Sequence, residues 1–211
     1  MDDGVCQLLN RAYGLRMGKT LLAILVVVGV LGLLGARSYN KLVSLDQAVQ
    51  AQWSQVENVY QRRADLVPNL VETVKGAAKF EKETFQAVTE ARAKVGQVQQ
   101  GTSPSDPAAV QKFAQAQDQL SGALSRLLVV VEKYPELKAT QAFRDLQVQL
   151  EGTENRIAVE RMRFVQTAQT FNSQRNKFPT NILAGMFGSR FAEKAYFKAQ
   201  AGAETAPKVQ F

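Results

Sequence analysis

The 211-residue sequence contains no histidine and only one cysteine, Cys6, close to its N-terminus. Within this sequence, the missing histidines exclude metal sites built from histidine and cysteine, Ser-His-Asp triads and imidazole acid–base catalysis. A single cysteine cannot form a disulfide within one chain. Carboxylate pairs remain as a possible catalytic chemistry. We expect a non-enzymatic protein with no catalytic residue, no metal and no cofactor.

The net charge of the sequence is +7, but the lysines and arginines form no dense run. A basic balance favours anionic partners such as lipid headgroups or nucleic acid. Nucleic acid is not expected here, because the sequence has neither a basic arm nor an aromatic–basic recognition motif. The expected anionic partner is the lipid bilayer.

Residues 20–36, TLLAILVVVGVLGLLGA, form a long run without charge. Seventeen residues are enough for a short transmembrane helix at about 1.5 Å per residue. Arg16 and Lys19 precede the run, while Arg37 and Tyr39 follow it, where such side chains reach the membrane surface. We therefore expect a single-pass anchor in the inner membrane or an organelle membrane derived from it. A cleaved signal peptide and a buried core helix are the alternatives.

Residues 1–19 are predicted to form an N-terminal tail. Its basic residues favour a cytoplasmic N-terminus. Met17 is a second possible start, so residues 1–16 can be an extension.

Residues 37–177 are predicted to form a long antiparallel four-helix up-down bundle, because apolar residues recur at three- and four-residue steps. Pro68 is expected to end the first helix and begin the second. Residues 101–107 form a loop, after which Ser105 or Asp106 caps the third helix. Pro135 is expected to close that helix. The fourth helix carries a seven-residue apolar line: Phe143, Leu150, Ile157, Phe164 and Phe171.

Residues 178–211 are predicted to form a short helical tail beside the membrane, because four antiparallel helices return the chain to its anchor. Leu183, Phe187 and Phe191 form an apolar line at four-residue steps, and a basic line of Arg190, Lys194 and Lys198 lies beside it. Both lines would contact anionic lipid. The alternative is a tail folded back over the end of the bundle. The candidate lipid-contact residues are Leu183, Phe187, Arg190, Phe191, Lys194 and Lys198.

Two charged segments are candidates for a site inside the bundle. A buried glutamate paired with an arginine of a neighbouring helix would fix the register between helices. A pair of carboxylates tuned for acid–base work is the alternative. The candidate registry residues are Arg62, Arg63, Asp65, Glu151, Glu154, Asn155 and Arg156.

The motifs RRADLVPNLV, LEGTENRI and FPTNILAGMFGSRF give the chain a strong resemblance to the LemA family. The resemblance covers nearly all of the chain after residue 36. It implies a single-span membrane protein with a helical bundle, and one member of the family is associated with the magnetosome, a bacterial organelle. The function expected from the residues and the resemblance is a scaffold that organises or remodels a bacterial membrane or recruits partners to it. The alternative is an adaptor or regulator of another membrane protein, such as a protease or signalling complex. With either function, the expected partners of the chain are the lipid bilayer, an unidentified membrane protein and further copies of the chain.

Overall fold

The computed structural model describes residues 3–75, 82–99 and 101–197, with side chains from residue 21 onward. Helix α1, Asp3–Lys75, is a single helix of 73 residues that contains the whole apolar run. The large apolar side chains from Leu21 to Leu34 are 48–68% exposed, so no other described part of the chain covers them. This exposure argues against a buried core helix. Among the described residues, α1 is the one helix long and apolar enough to cross a membrane.

The part of the chain after α1 is also helical. It contains α2 (Lys82–Gln99), α3 (Pro107–Val131), α4 (Pro135–Lys138), α5 (Gln141–Asn176), α6 (Thr180–Met186) and a 3₁₀ helix (Gly188–Phe191). The predicted cap is confirmed at Asp106, whose Oδ1 accepts hydrogen bonds from the backbone N–H groups of Ala108 and Ala109. The chain is therefore all-helical over the ranges that the structure describes.

The prediction that Pro68 ends the first helix is wrong, because α1 continues past it to Lys75. Proline has no N–H group, so it leaves the carbonyl of Ala64, one turn earlier, without its helical hydrogen bond. Arg92 of α2 supplies the missing donor, with its Nε 3.0 Å from that carbonyl oxygen. A contact from a second helix thus compensates for the proline.

The long helices pack in pairs. α1 packs along α5, and α2 packs along α3. Gln52 donates a hydrogen bond to Glu160 (2.7 Å), and Arg63 donates one to Glu154 (2.8 Å). Later residues of α1 therefore meet earlier residues of α5. The predicted core line of α5 is confirmed, since its members are at most 6% exposed: Phe143, Leu150, Ile157, Phe164 and Phe171.

The buried apolar residues form two cores. The proximal core lies on the side of the apolar run, and its centre is Trp53, which contacts the rings of Phe113 (5.5 Å) and Phe164 (5.1 Å). The distal core lies farther from that run and contains, among others, Val67, Leu70, Leu120, Leu124 and Leu150. A layer of polar residues from α1, α3 and α5 lies between the two cores, while Val98 of α2 packs against both.

After the 3₁₀ helix, residues 192–197 follow an irregular path back into the proximal core. The backbone N–H of Ala195 donates a hydrogen bond of 2.9 Å to the carbonyl of Pro104. The ring of Phe197 stacks on Trp53 at a centroid distance of 5.8 Å. The described part of the tail, residues 178–197, is therefore folded over the end of the helices, as the alternative interpretation of the sequence expected.

Candidate functional site

Arg63 is the largest fully buried side chain that carries a charge, with only 1% of its surface exposed. Its Nη1 donates to Ser121 Oγ (2.7 Å) and to Glu154 Oε1 (2.8 Å). Its Nη2 donates to the carbonyl oxygen and to Oε1 of Gln117. The guanidinium also lies 5.1 Å from the centre of the Tyr60 ring. Acceptors from α3 and α5 thus surround a cation from α1, which is the condition for burying such a charge.

Arg63, Gln117 and Glu154 form the polar layer between the two cores. Each lies three or four residues from members of both cores. If one helix shifted by a turn, an apolar side chain would face the guanidinium, and this is the arrangement that the predicted registry role requires. The flanking core residues are Tyr60 and Val67 on α1, Phe113 and Leu120 on α3, and Leu150 and Ile157 on α5.

Of the seven candidate registry residues, the structure brings Arg63 and Glu154 together. The carboxylate of Glu154 is paired with this guanidinium. The registry role itself stays a prediction. The other five candidates are exposed on their helices: Arg62, Asp65, Glu151, Asn155 and Arg156.

Two groups near the layer have pKa values that burial changes. Burial raises the pKa of Tyr60 above its ordinary value of 10.0, although the positive charges of Arg161 and Arg63 oppose the rise. Burial also raises the pKa of Glu57 above 4.5, and the Trp53 side chain opposes this rise. At neutral pH the phenol of Tyr60 is therefore protonated and lies beside the buried cation.

A second buried cation, Lys194, holds the tail in place. Its Nζ lies 2.5 Å from Asp46 Oδ1, donates to Ser105 Oγ at 2.9 Å, and lies 4.8 Å from the centre of the Phe171 ring. Its backbone N–H donates to Asn172 Oδ1, and its carbonyl accepts from Asn172 Nδ2. One residue thus joins α1, α5 and the loop before α3.

The candidate lipid-contact residues divide into two groups. Phe191 is fully buried and Lys194 is 3% exposed, so both are in contact with the rest of the chain. Leu183 is half-buried, whereas Phe187 and Arg190 are exposed. Lys198 lies outside the described residues. Lipid contact stays a prediction for the exposed members.

Sequence reasoning named Glu154 as the partner of an arginine but missed the other partners of the two buried cations. Gln117 could have been found, because it falls between Phe113 and Leu120 on the apolar face of α3, where a polar residue needs a partner. Asp46, Ser105 and Asn172 carried no such signal, since each meets Lys194 only through the tertiary fold.

A groove of about 520 Å³ between α2 and α3 is open to solvent and has charges of both signs. It is lined in part by Glu90, Lys94, Asp118 and Arg126. In the described ranges, no group of three or more Asp, Glu, Cys or His side chains is placed to hold a metal ion.

The chain thus has one helix with a long apolar run, and this helix continues into a helical domain that contains a buried layer of polar and charged residues. Residues 52–211 match the LemA family, and the chain belongs to that family. Magnetosome proteins MamQ 1 and MamQ 2 of Paramagnetospirillum magneticum are each 28% identical to it over 213 residues, covering 90% of this chain and 77% of the relative. Protein LemA of Metamycoplasma hominis is 25% identical over 165 residues, covering 78% of this chain and 71% of the relative.

Proposed function

We propose that the chain is a non-enzymatic, membrane-anchored scaffold that organises or remodels a bacterial membrane, or recruits partners to it. The observation that supports this function is the continuity of α1, which runs from the apolar run into the packed helices without a linker. From Arg37 to Lys75 the helix extends about 58 Å at 1.5 Å per residue. A continuous helix transmits position and orientation, whereas a flexible linker does not.

In this proposal, the part of α1 beyond the span forms an antiparallel four-helix up-down bundle with α2, α3 and α5. The anchor is residues 20–36, and the N-terminus is cytoplasmic. The membrane is the inner membrane or an organelle membrane derived from it, which the names of the MamQ relatives as magnetosome proteins support. The partners are a membrane protein or further copies of the chain. A topology reporter fused after Phe211 tests the orientation.

An adaptor or regulator of one membrane protein is the second candidate. Its candidate contacts are exposed large apolar side chains on α3 and α5, since Val129, Val148 and Met162 are 66%, 67% and 54% exposed. The two candidates differ in stoichiometry: an adaptor has one partner in a fixed ratio, whereas a scaffold contacts several proteins or further copies.

Crosslinking in intact cells tests both candidates. A photoreactive amino acid is placed at Val129 or at Val148 in the full-length chain, and the crosslinked proteins are identified by mass spectrometry. A scaffold is expected to give a reproducible set of membrane neighbours or self-crosslinks. One neighbour in a fixed ratio would favour the adaptor.

Two controls make this test decisive. A chain ending at residue 40, with the photoreactive group at Asn40, reports bystanders of the anchor alone. A seven-residue glycine–serine insert between Arg37 and Ser38 interrupts the helix and should change the neighbours that the scaffold contacts. If the full chain gives only the bystanders, the scaffold proposal is wrong.

A further inference from the structure

The short helix α6 has its apolar side on the outside. Thr180 and Ala184 face the protein and are each 2% exposed. Ile182 and Met186, on the opposite side of the helix, are 55% and 75% exposed, and Phe178 just before the helix is 80% exposed. A surface helix in water has the reverse pattern. The outer face of α6, defined as Phe178, Ile182 and Met186, is therefore suited to apolar surroundings.

Helix α6 lies beside the end of the apolar run. The ring of Tyr39 on α1 is 5.1 Å from that of Phe187, which directly follows α6, and 5.7 Å from that of Phe191. Tyr39 comes three residues after Ala36, or about 4.5 Å along the helix axis. α6 is thus at the height where an α1 that crosses a bilayer would leave it.

The charges at this end of the domain suit an anionic surface. The exposed basic residues there are Arg37, Lys41, Lys177 and Arg190. Two nearby acids are already paired, because Asp46 lies against Lys194 and Glu193 against Arg175. The apolar face is therefore accompanied by cations that attract anionic headgroups.

We propose that the outer face of α6 rests in the interfacial region of the same bilayer that α1 crosses. This inference depends on the membrane anchoring in the proposed function. The predicted lipid-contact residues Phe191 and Lys194 are buried in the protein. The second membrane contact is therefore assigned to the exposed side chains of the outer face of α6, which no other part of the described chain covers. Two contacts with one bilayer fix the tilt of the helical domain, which a single span would leave free.

Fluorescence quenching by lipid measures this contact directly. In a Cys6→Ser background, the full-length chain carries one environment-sensitive fluorophore at Ile182→Cys or Met186→Cys. It is reconstituted in phosphatidylcholine–phosphatidylglycerol vesicles that contain nitroxide-labelled lipids. Val148→Cys on α5 is the matched control, because Val148 is about as exposed but is far along the chain from α6. Leu33→Cys, inside the apolar run, reports insertion of the anchor.

The expected result is a severalfold greater loss of fluorescence at positions 182 and 186 than at 148, with strong quenching at 33. The α6 contact would be overturned, with the anchor left intact, if the fluorophore at position 33 is quenched but those at positions 182 and 186 are quenched no more than the one at position 148. No quenching at 33 would instead overturn the membrane anchoring itself. A blue shift at 182 that depends on protein density, without lipid quenching, would assign the face to a second copy of the chain and reject the bilayer.

Discussion

The ammonium group of Lys194 lies 2.5 Å from Oδ1 of Asp46, and their side chains are 2% and 20% exposed. That oxygen accepts no aligned hydrogen bond, so charge attraction holds the pair. The pair joins the chain after α6 to α1, about 15 Å along the helix beyond residue 36. Because α1, residues 192–197 and the loop before α3 meet at this point, the ion pair contributes to holding that segment against α1.

Replacing Lys194 by methionine is expected to loosen that end of the domain. Methionine keeps much of the apolar volume but leaves Asp46 without its cation and Ser105 without its donor. We expect Lys194→Met to lower the free energy of unfolding by about 1–3 kcal/mol. Urea unfolding of the full-length chain in detergent measures the change. The control is Lys177→Met at an exposed position, for which a change within about 0.5 kcal/mol is expected; equal losses in the two variants would contradict the prediction.

The polar layer predicts that Arg63 cannot be replaced even by lysine. An ammonium group keeps the charge but cannot reproduce the planar fork that reaches Gln117, Ser121 and Glu154 together. Arg63→Lys is expected to cost about 2–3 kcal/mol of unfolding free energy, because buried acceptors lose their donors. Its neighbour Arg62 is exposed, so Arg62→Lys is the matched control and should be nearly neutral. Similar urea midpoints for both variants would show that the planar fork of the guanidinium contributes nothing that an ammonium group cannot replace.

The proline in α1 predicts a coupling between two helices. Pro68→Ala restores the N–H that bonds to the carbonyl of Ala64, and we expect it to stabilise the chain by about 1–3 kcal/mol. Arg92→Met should cost about 1 kcal/mol in the native chain, because that carbonyl then has no donor. In the Pro68→Ala background the same change should cost clearly less. A double-mutant cycle from urea unfolding gives the coupling energy between Pro68 and Arg92. A coupling energy of zero would rule out compensation for the proline by Arg92.

The same proline shows what local patterns cannot predict. A proline normally ends a helix, and the donor that allows α1 to continue comes from Arg92, on another helix. The core line of α5, by contrast, was predictable, because its spacing follows from helix geometry alone. Sequence reasoning placed Glu154 near an arginine but could not choose between adjacent Arg62 and Arg63, which differ only in the direction they face.

The tail was harder to predict because its helical pattern does not continue as one helix. The predicted line of Leu183, Phe187 and Phe191 assumes four-residue steps, but α6 ends at Met186. Gly188 then adopts a φ of +53°, in the left-handed region that favours glycine, and redirects the chain. Phe191 therefore points into the proximal core, while Phe187 stays exposed. Apolar composition was informative here, but the periodicity was misleading.

The carboxyl group of Glu57 predicts a pH-dependent stability. Burial raises its pKa above 4.5, so the folded state binds this proton more tightly than the unfolded state does. The stability that the protonated Glu57 carboxyl group contributes is therefore fully present below pH 4.5 and is lost as the pH rises through the folded-state pKa. The uncharged variant Glu57→Gln is expected to raise the unfolding free energy near neutral pH and to have little effect in acid below that value. Urea unfolding at several pH values measures this difference, with the exposed substitution Glu151→Gln as the control. A gain of equal size at both ends of the pH range would show that the amide, and not the removal of a partly buried charge, stabilises the variant.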